Sequence, residues 1–141
     1  MVHTTKCINQ INLTFIMTEN EIGSILVNSA LTVHKNLGPG LLESTYQACL
    51  AYELSESGLH VRKEAALPVV YKDVKLDCGY RLDIWINGKV IVEIKAVDNL
   101  NDIHMAQILT YLKLTENRLG FLINFNVNRI KNGIRRVVNN L

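Results

Sequence analysis

The sequence predicts a single α/β domain with a mixed β-sheet flanked by helices, and three observations carry that expectation. The 141 residues, 48% hydrophobic and 20% charged, suffice for one sizeable core and no more. Two stretches with helical apolar spacing open the chain and β-rich text follows them. A third helical stretch then separates a hairpin from a further buried strand, so the order reads α-α-β-β-β-α-β. This near-average composition excludes disorder, collagen and coiled coil. No apolar run approaches the roughly 18 residues of a membrane span. Cys7, Cys49 and Cys78 are odd in number and scattered, forming neither a disulfide framework nor a zinc pattern, and they point to a reducing cytoplasm.

Each element has a local reason. Residues 1–17 read as an N-terminal extension with Met17 the suspected natural start, and residues 18–141 as the domain. Thr18-Glu19-Asn20-Glu21 forms a capping box. Ile22, Ile25, Leu26, Leu31, Val33 and Leu37 give a helical stripe to about Asn36, and Gly38-Pro39-Gly40 stops it. A second helix is expected from about Leu41 to Ser57, with Leu42, Tyr46, Cys49, Leu50 and Leu54 inward and Gly58 just past its end. Strand-like text runs from Leu59 to Leu67 and from Pro68 to Tyr71. After a turn at Lys72-Asp73 it continues from Val74 to Ile86, and after Asn87-Gly88 from Lys89 to Val97. Asp102 is the expected cap of a third helix reaching about Glu116. Leu119–Phe125 reads as a buried strand and Gly133–Val138 as a short last element.

Charge is distributed unevenly. Residues 1–116 hold 10 Lys and Arg against 13 Asp and Glu, whereas residues 117–141 hold Arg118, Arg129, Lys131, Arg135 and Arg136 with no acid. Such an end is either a nucleic-acid contact or a solvated basic surface.

The chemistry gathers between Tyr80 and Ala96. Side chains alternate along a strand, so Leu82, Ile84, Ile86, Val90, Val92, Ile94 and Ala96 make an apolar core face. Arg81, Asp83, Trp85, Ile91, Glu93 and Lys95 fall on the other face. A three-residue loop, Ile86-Asn87-Gly88, keeps that partition, pairing Trp85 with Lys89 and Asp83 with Ile91, with Glu93 diagonal to Asp83. Two carboxylates beside a lysine suit a hard cation such as Mg²⁺ (or Mn²⁺) and a phosphate ester. The same residues also make an ordinary exposed face with a Glu-Lys pair. His34, His60 and His104 show no metal-ligand spacing, and no Gly-rich phosphate loop or Ser-His-Asp set is present.

Asp83, nine intervening residues and then Glu93-Ile94-Lys95 in a hairpin resemble the PD-(D/E)XK nuclease signature, with Leu82 where a proline often stands. Gly40-Leu41-Leu42-Glu43-Ser44-Thr45-Tyr46 resembles the signature of the GxxExxY protein family. Leu76–Asp83 and Leu122-Ile123-Asn124-Phe125 share that family's look. The resemblance spans about residues 20–138. It implies a restriction-endonuclease-like core and a Mg²⁺-dependent nuclease acting on phosphodiester bonds, chiefly in DNA. Asp83, Glu93 and the helical Glu43 would be metal ligands, and Lys95 would assist the water or the phosphate. Gln107 and Tyr111, four apart on the third helix, resemble the Gln-x-x-x-Tyr element of such nucleases and would position these groups. Alternatives are a non-catalytic nucleic-acid-binding module and a protein-interaction domain on the same fold. Small size and modest charge point to a homodimer or a partner protein in binding DNA.

Overall fold

The computed structural model describes residues 16–141. Most of the expected extension, including Cys7, lies outside the described residues. Helix α1 spans Glu19–Leu37. Thr18 caps it, its hydroxyl accepting from the Glu21 N–H at 3.1 Å. Its buried stripe is Ile22, Leu26, Ser29, Ala30, Val33 and His34. Leu31 and Leu37, expected inside, are exposed. Small Ala30 and Ser29 take the inward positions because the stripe drifts around the helix with its 3.6-residue turn.

Helix α2 spans Glu43–Glu56. Tyr46, Leu50 and Leu54 are fully buried, Cys49 is partly buried, and Leu42, expected inward, is 74% exposed because it precedes the first helical turn. The end is a Schellman motif. Leu59 N–H bonds Leu54 O, Gly58 N–H bonds Ser55 O, and Gly58 takes the left-handed φ of 87°.

Seven strands follow: β1 Val61–Ala66, β2 Val69–Tyr71, β3 Val74–Leu76, β4 Arg81–Ile86, β5 Val90–Lys95, β6 Leu119–Asn124 and β7 Ile134–Val138. Helix α3, Asp102–Thr115, lies between β5 and β6, and a short 3₁₀ turn, Ile130–Asn132, precedes β7. The text from Val74 to Ile86 is thus two strands. The chain leaves the small β2–β3 hairpin at Asp77–Tyr80, where Gly79 has φ 78°. The cap of α3 is Asn101 rather than Asp102. Its side chain accepts from His104 N–H at 3.0 Å, while His104 Nδ1 accepts from Asn101 N–H at 3.2 Å.

The main sheet has the order β1-β4-β5-β6-β7, with only the β5–β6 pair parallel and α3 as its crossover. Helices α1 and α2 pack on Ile84, Ile86, Val90, Val92, Ile94, Phe121 and Ile123. Helix α3 covers the opposite face, sealing Ile91, Leu122 and Val137 with Ile108, Tyr111 and Leu112. The face expected to stay outside is therefore a second core layer, and Ile91 is fully buried. Leu82 and its partner Ala65 pack with the α3 layer, although Ile84 belongs to the other. That change of side falls at Glu64, a non-glycine strand residue with φ 51°.

The hairpin register also differs from the expected one. Ile86 pairs Val90, Trp85 pairs Ile91 and Ile84 pairs Val92, so the loop is Asn87-Gly88-Lys89. Asn87 and Gly88 both have positive φ, and Lys89 N–H bonds Ile86 O. This is a type I′ turn with Lys89 as the extra residue. The shift moves each partner by two residues and so preserves the faces. It also sets Asp83 directly opposite Glu93 instead of diagonal to it.

Candidate active site

The site grows from that opposition. The β4–β5 ladder ends at Ile84–Val92. One residue further, crossed side-chain bonds replace it. Asp83 N–H donates to Glu93 Oε2 at 3.0 Å, and Ile94 N–H donates to Asp83 Oδ2 at 2.8 Å. Each carboxylate is thereby fixed by the partner strand's backbone or by its own opposite number. Glu93 is only 6% exposed, a costly place for a carboxylate. Burial, and then the charge of Asp83, push its pKa up to about 9. Burial also raises Asp83, against the bond from Ile94, and the negative charge of Glu64 adds to the rise. The two carboxyls titrate as a pair that retains a proton at neutral pH.

Lys95, on the same face of β5, lowers both values through its charge. No ion pair within 4.0 Å joins it to them, since Arg81–Asp77 is the sole salt bridge among the described residues. Helix α3 supplies Tyr111, 5% exposed, whose hydroxyl is pushed up to about 12 by burial and then by the Glu93 charge. Gln107, one helical turn earlier on α3, counters that rise, and Tyr80 meets the Tyr111 ring edge-on at 6.1 Å. The structure therefore brings Asp83, Glu93, Lys95, Tyr111 and Gln107 to one end of the sheet, at the carboxyl end of β5.

Glu43 approaches from α2 but stops short. Its Oε1 accepts from Ala96 N–H at 3.2 Å, one residue beyond Lys95. Among the described residues no three His, Cys, Asp or Glu side chains form a metal-holding group. The expected three-carboxylate set is in this structure a pair, with Glu43 anchored to the adjoining backbone. The neighbouring Tyr46 explains why α2 starts here. Its hydroxyl donates to Gly38 O at 2.6 Å and accepts from Leu41 N–H, while its ring stacks on Phe125 at 4.5 Å.

Sequence reasoning missed two residues of the site. Glu64 lies opposite Asp83, between the pairs Lys63–Ile84 and Ala65–Leu82. Nothing in the sequence signals it, because a long connection sets the β1–β4 register. Asn124, 2% exposed, accepts from Val97 N–H and donates to Val97 O, holding the chain just beyond Lys95. A buried polar residue ending an apolar run was the available signal.

The basic residues do not form one tail. Arg118 binds Asn140 O with two N–H groups, Arg135 bonds Asn132 O and Ile134 O, and Arg136 bonds Asn20 Oδ1. Arg129 instead caps the 3₁₀ turn, and Lys131 lies within it, at the sheet end that carries the site. Cys49 and Cys78 are free thiols. His34 is nearly buried and bonds Val127 O, and His104 serves the α3 cap. No described helix is long and apolar enough to cross a membrane.

Comparison with curated proteins and with solved structures returned no match. A family profile, however, matches residues 20–137, which include both helices ahead of the sheet, the Asp83–Lys95 hairpin and the Gln107–Tyr111 helix. On that match, and with a mixed sheet between helices carrying the Asp…Glu-x-Lys hairpin, the chain belongs to the PD-(D/E)XK nuclease superfamily.

Proposed function

We propose that this protein hydrolyses phosphodiester bonds, with DNA as substrate and Mg²⁺ or Mn²⁺ as cofactor. The observation that carries this reading is the crossed contact of Asp83 and Glu93 beside Lys95. PD-(D/E)XK nucleases generally use divalent metals. The donor chemistry here fits one, because Mg²⁺ is commonly held by one or two carboxylates while keeping several waters for substrate phosphates to replace. Asp83 and Glu93 would hold the ion, and Glu43 would reach it through water. Such an ion polarises a phosphoryl oxygen and acidifies an attacking water.

The chain's own groups do the rest. A raised carboxyl pair is a site that gains from a cation, since the charge repulsion that protonates it is relieved. Lys95 places a positive charge where negative charge develops on the phosphate. Tyr111, with its pKa pushed to about 12, stays protonated and can donate a hydrogen bond, and Gln107 orients it. Arg129 and Lys131, at the sheet end that carries the site, would supply backbone contacts, whereas the guanidinium groups of Arg118, Arg135 and Arg136 already bond the protein itself.

A binding module that keeps the fold without turnover is favoured by one observation, the absence of a three-ligand group among the described residues. The deciding experiment is an assay on labelled single- and double-stranded DNA and RNA with Mg²⁺ or Mn²⁺, beside Lys95→Ala. Cleavage by the wild type, with a loss of orders of magnitude in Lys95→Ala at unchanged binding, supports catalysis. Binding without cleavage under every condition supports the module.

A further inference from the structure

The carboxyl end of α1 and the loop after β6 enclose an open pocket of about 410 Å³. Leu31 and Ile130 contribute apolar surface to it, and Lys35, Arg129 and Lys131 bring three cations. His34 ties the two elements together, its Nε2 lying 2.7 Å from Val127 O. None of the three cationic side chains has an ion pair or hydrogen-bond partner among the described residues. No Asp or Glu lines the pocket. Lys35 alone would be explained by the negative end of the α1 dipole. Arg129 and Lys131 stand on a different element and gain nothing from being drawn to the same opening. Gathering like charges opposes the fold unless an anion relieves it.

The position is as informative as the charge. Strands β5 and β6 run parallel, pairing Lys95 with Asn124, and Phe125 N–H donates to Lys95 O at 2.9 Å. Arg129 is four residues further on. At about 3.6 Å per extended residue it lies within about 14 Å of Phe125. That reach is at most about four steps of a strand rising ~3.4 Å per nucleotide.

We infer that the Lys35–Arg129–Lys131 pocket holds a backbone phosphate of the polynucleotide strand being cut, a few nucleotides from the Asp83–Glu93–Lys95 site. The exposed apolar surface of Leu31 faces the sugar. This rests on the nuclease reading, and it makes the strand's path run from the end of β5 over the loop after β6 to the end of α1. It also separates these two C-terminal cations from Arg118, Arg135 and Arg136, whose guanidinium groups already bond the protein itself.

The test measures binding of a fluorescent single-stranded oligonucleotide to the full chain in EDTA across 50–200 mM salt. It compares the wild type, the triple Lys35→Ala/Arg129→Ala/Lys131→Ala variant and Arg136→Ala, with inorganic phosphate as competitor. The charge-keeping pair Lys35→Arg/Arg129→Lys guards against a folding defect. Removing a pocket that neutralises one strand phosphate should flatten the slope of log affinity against log salt by about 0.7. Affinity near 0.1 M salt should fall at least about tenfold, with Arg136→Ala and the charge-keeping pair close to wild type. Millimolar phosphate that displaces the wild type's oligonucleotide only weakly indicates a strand phosphate rather than a free anion, and full displacement overturns the strand assignment. Wild-type binding that the triple variant leaves unchanged overturns the inference and spares the nuclease reading. Patch-dependent binding with no cleavage under Mg²⁺ or Mn²⁺ keeps the phosphate pocket on a bound strand and removes the nuclease reading, and with it the cut. No binding by the wild type overturns the inference outright.

Discussion

Replacing Glu93 by Gln isolates the buried carboxyl pair. Glu93 is 6% exposed and its pKa rises from 4.5 to about 9, from burial and from the charge of Asp83. A carboxyl with a higher pKa in the folded than in the unfolded chain makes the folded chain the better proton binder. Below about pH 4.5 both states hold the proton and the shift has no effect on stability. From there to about pH 9 the unfolded chain has released it and the folded chain has not, so stability falls as pH rises. The slope is ~1.4 kcal/mol per pH unit, about 3 kcal/mol accumulated by pH 7. Glutamine has the same shape, keeps an acceptor for Asp83 N–H, carries no charge and can donate to the Asp83 carboxylate. Glu93→Gln should therefore be more stable than wild type at neutral pH, by up to about 3 kcal/mol or ~10 °C in Tm, and nearly equal to it near pH 4.5. Urea unfolding in EDTA at several pH values between 5 and 9 reads this directly. Parallel curves, with Glu93→Gln losing stability as steeply as wild type, would refute the buried pair as the source.

Other outcomes follow from the same geometry. Mg²⁺ at tenfold its Kd should stabilise the wild type by about 1.4 kcal/mol through ligand linkage, and Asp83→Asn should abolish the shift. Thermal melts with and without the ion, on both proteins, measure it. Gly133→Ala should destabilise by several kcal/mol and disturb the loop after β6, because a Cβ there would overlap the backbone oxygen of Asn124. A chemical melt of that variant checks it, and wild-type stability would show that the loop yields. Lys95→Ala should spare stability and oligonucleotide affinity while suppressing cleavage, as the paired binding and turnover assays would report.

Much of the fold is legible in the chain because its signals are local. The Thr18 cap, the Gly58 helix end and the Asn87-Gly88 turn each depend on a few neighbouring residues, and each forms. The alternation from Ile84 to Ile94 is equally local, and it puts Asp83, Glu93 and Lys95 on one side because slipping by one residue would bury their charges in the α1–α2 core. Alternation repeats every two residues, so it cannot tell one register from another shifted by two. Hence the sequence leaves the pairing of Asp83 open, and the turn geometry with Lys89 as extra residue decides it.

What the sequence by itself determines is the class of the domain, its helix and turn boundaries to within a few residues, and which chemical groups share a strand face. Only the tertiary structure decides how buried those groups are. Helix α3 seals the second sheet face, and that burial turns Glu93 from a surface acid into a carboxyl with a pKa near 9. Tertiary structure also places Glu64 against Asp83, holds Glu43 at Ala96 and draws Lys35 to Arg129 and Lys131. These are contacts between elements far apart in the chain. Their distances depend on how whole layers pack, and no periodicity or spacing within one element encodes that.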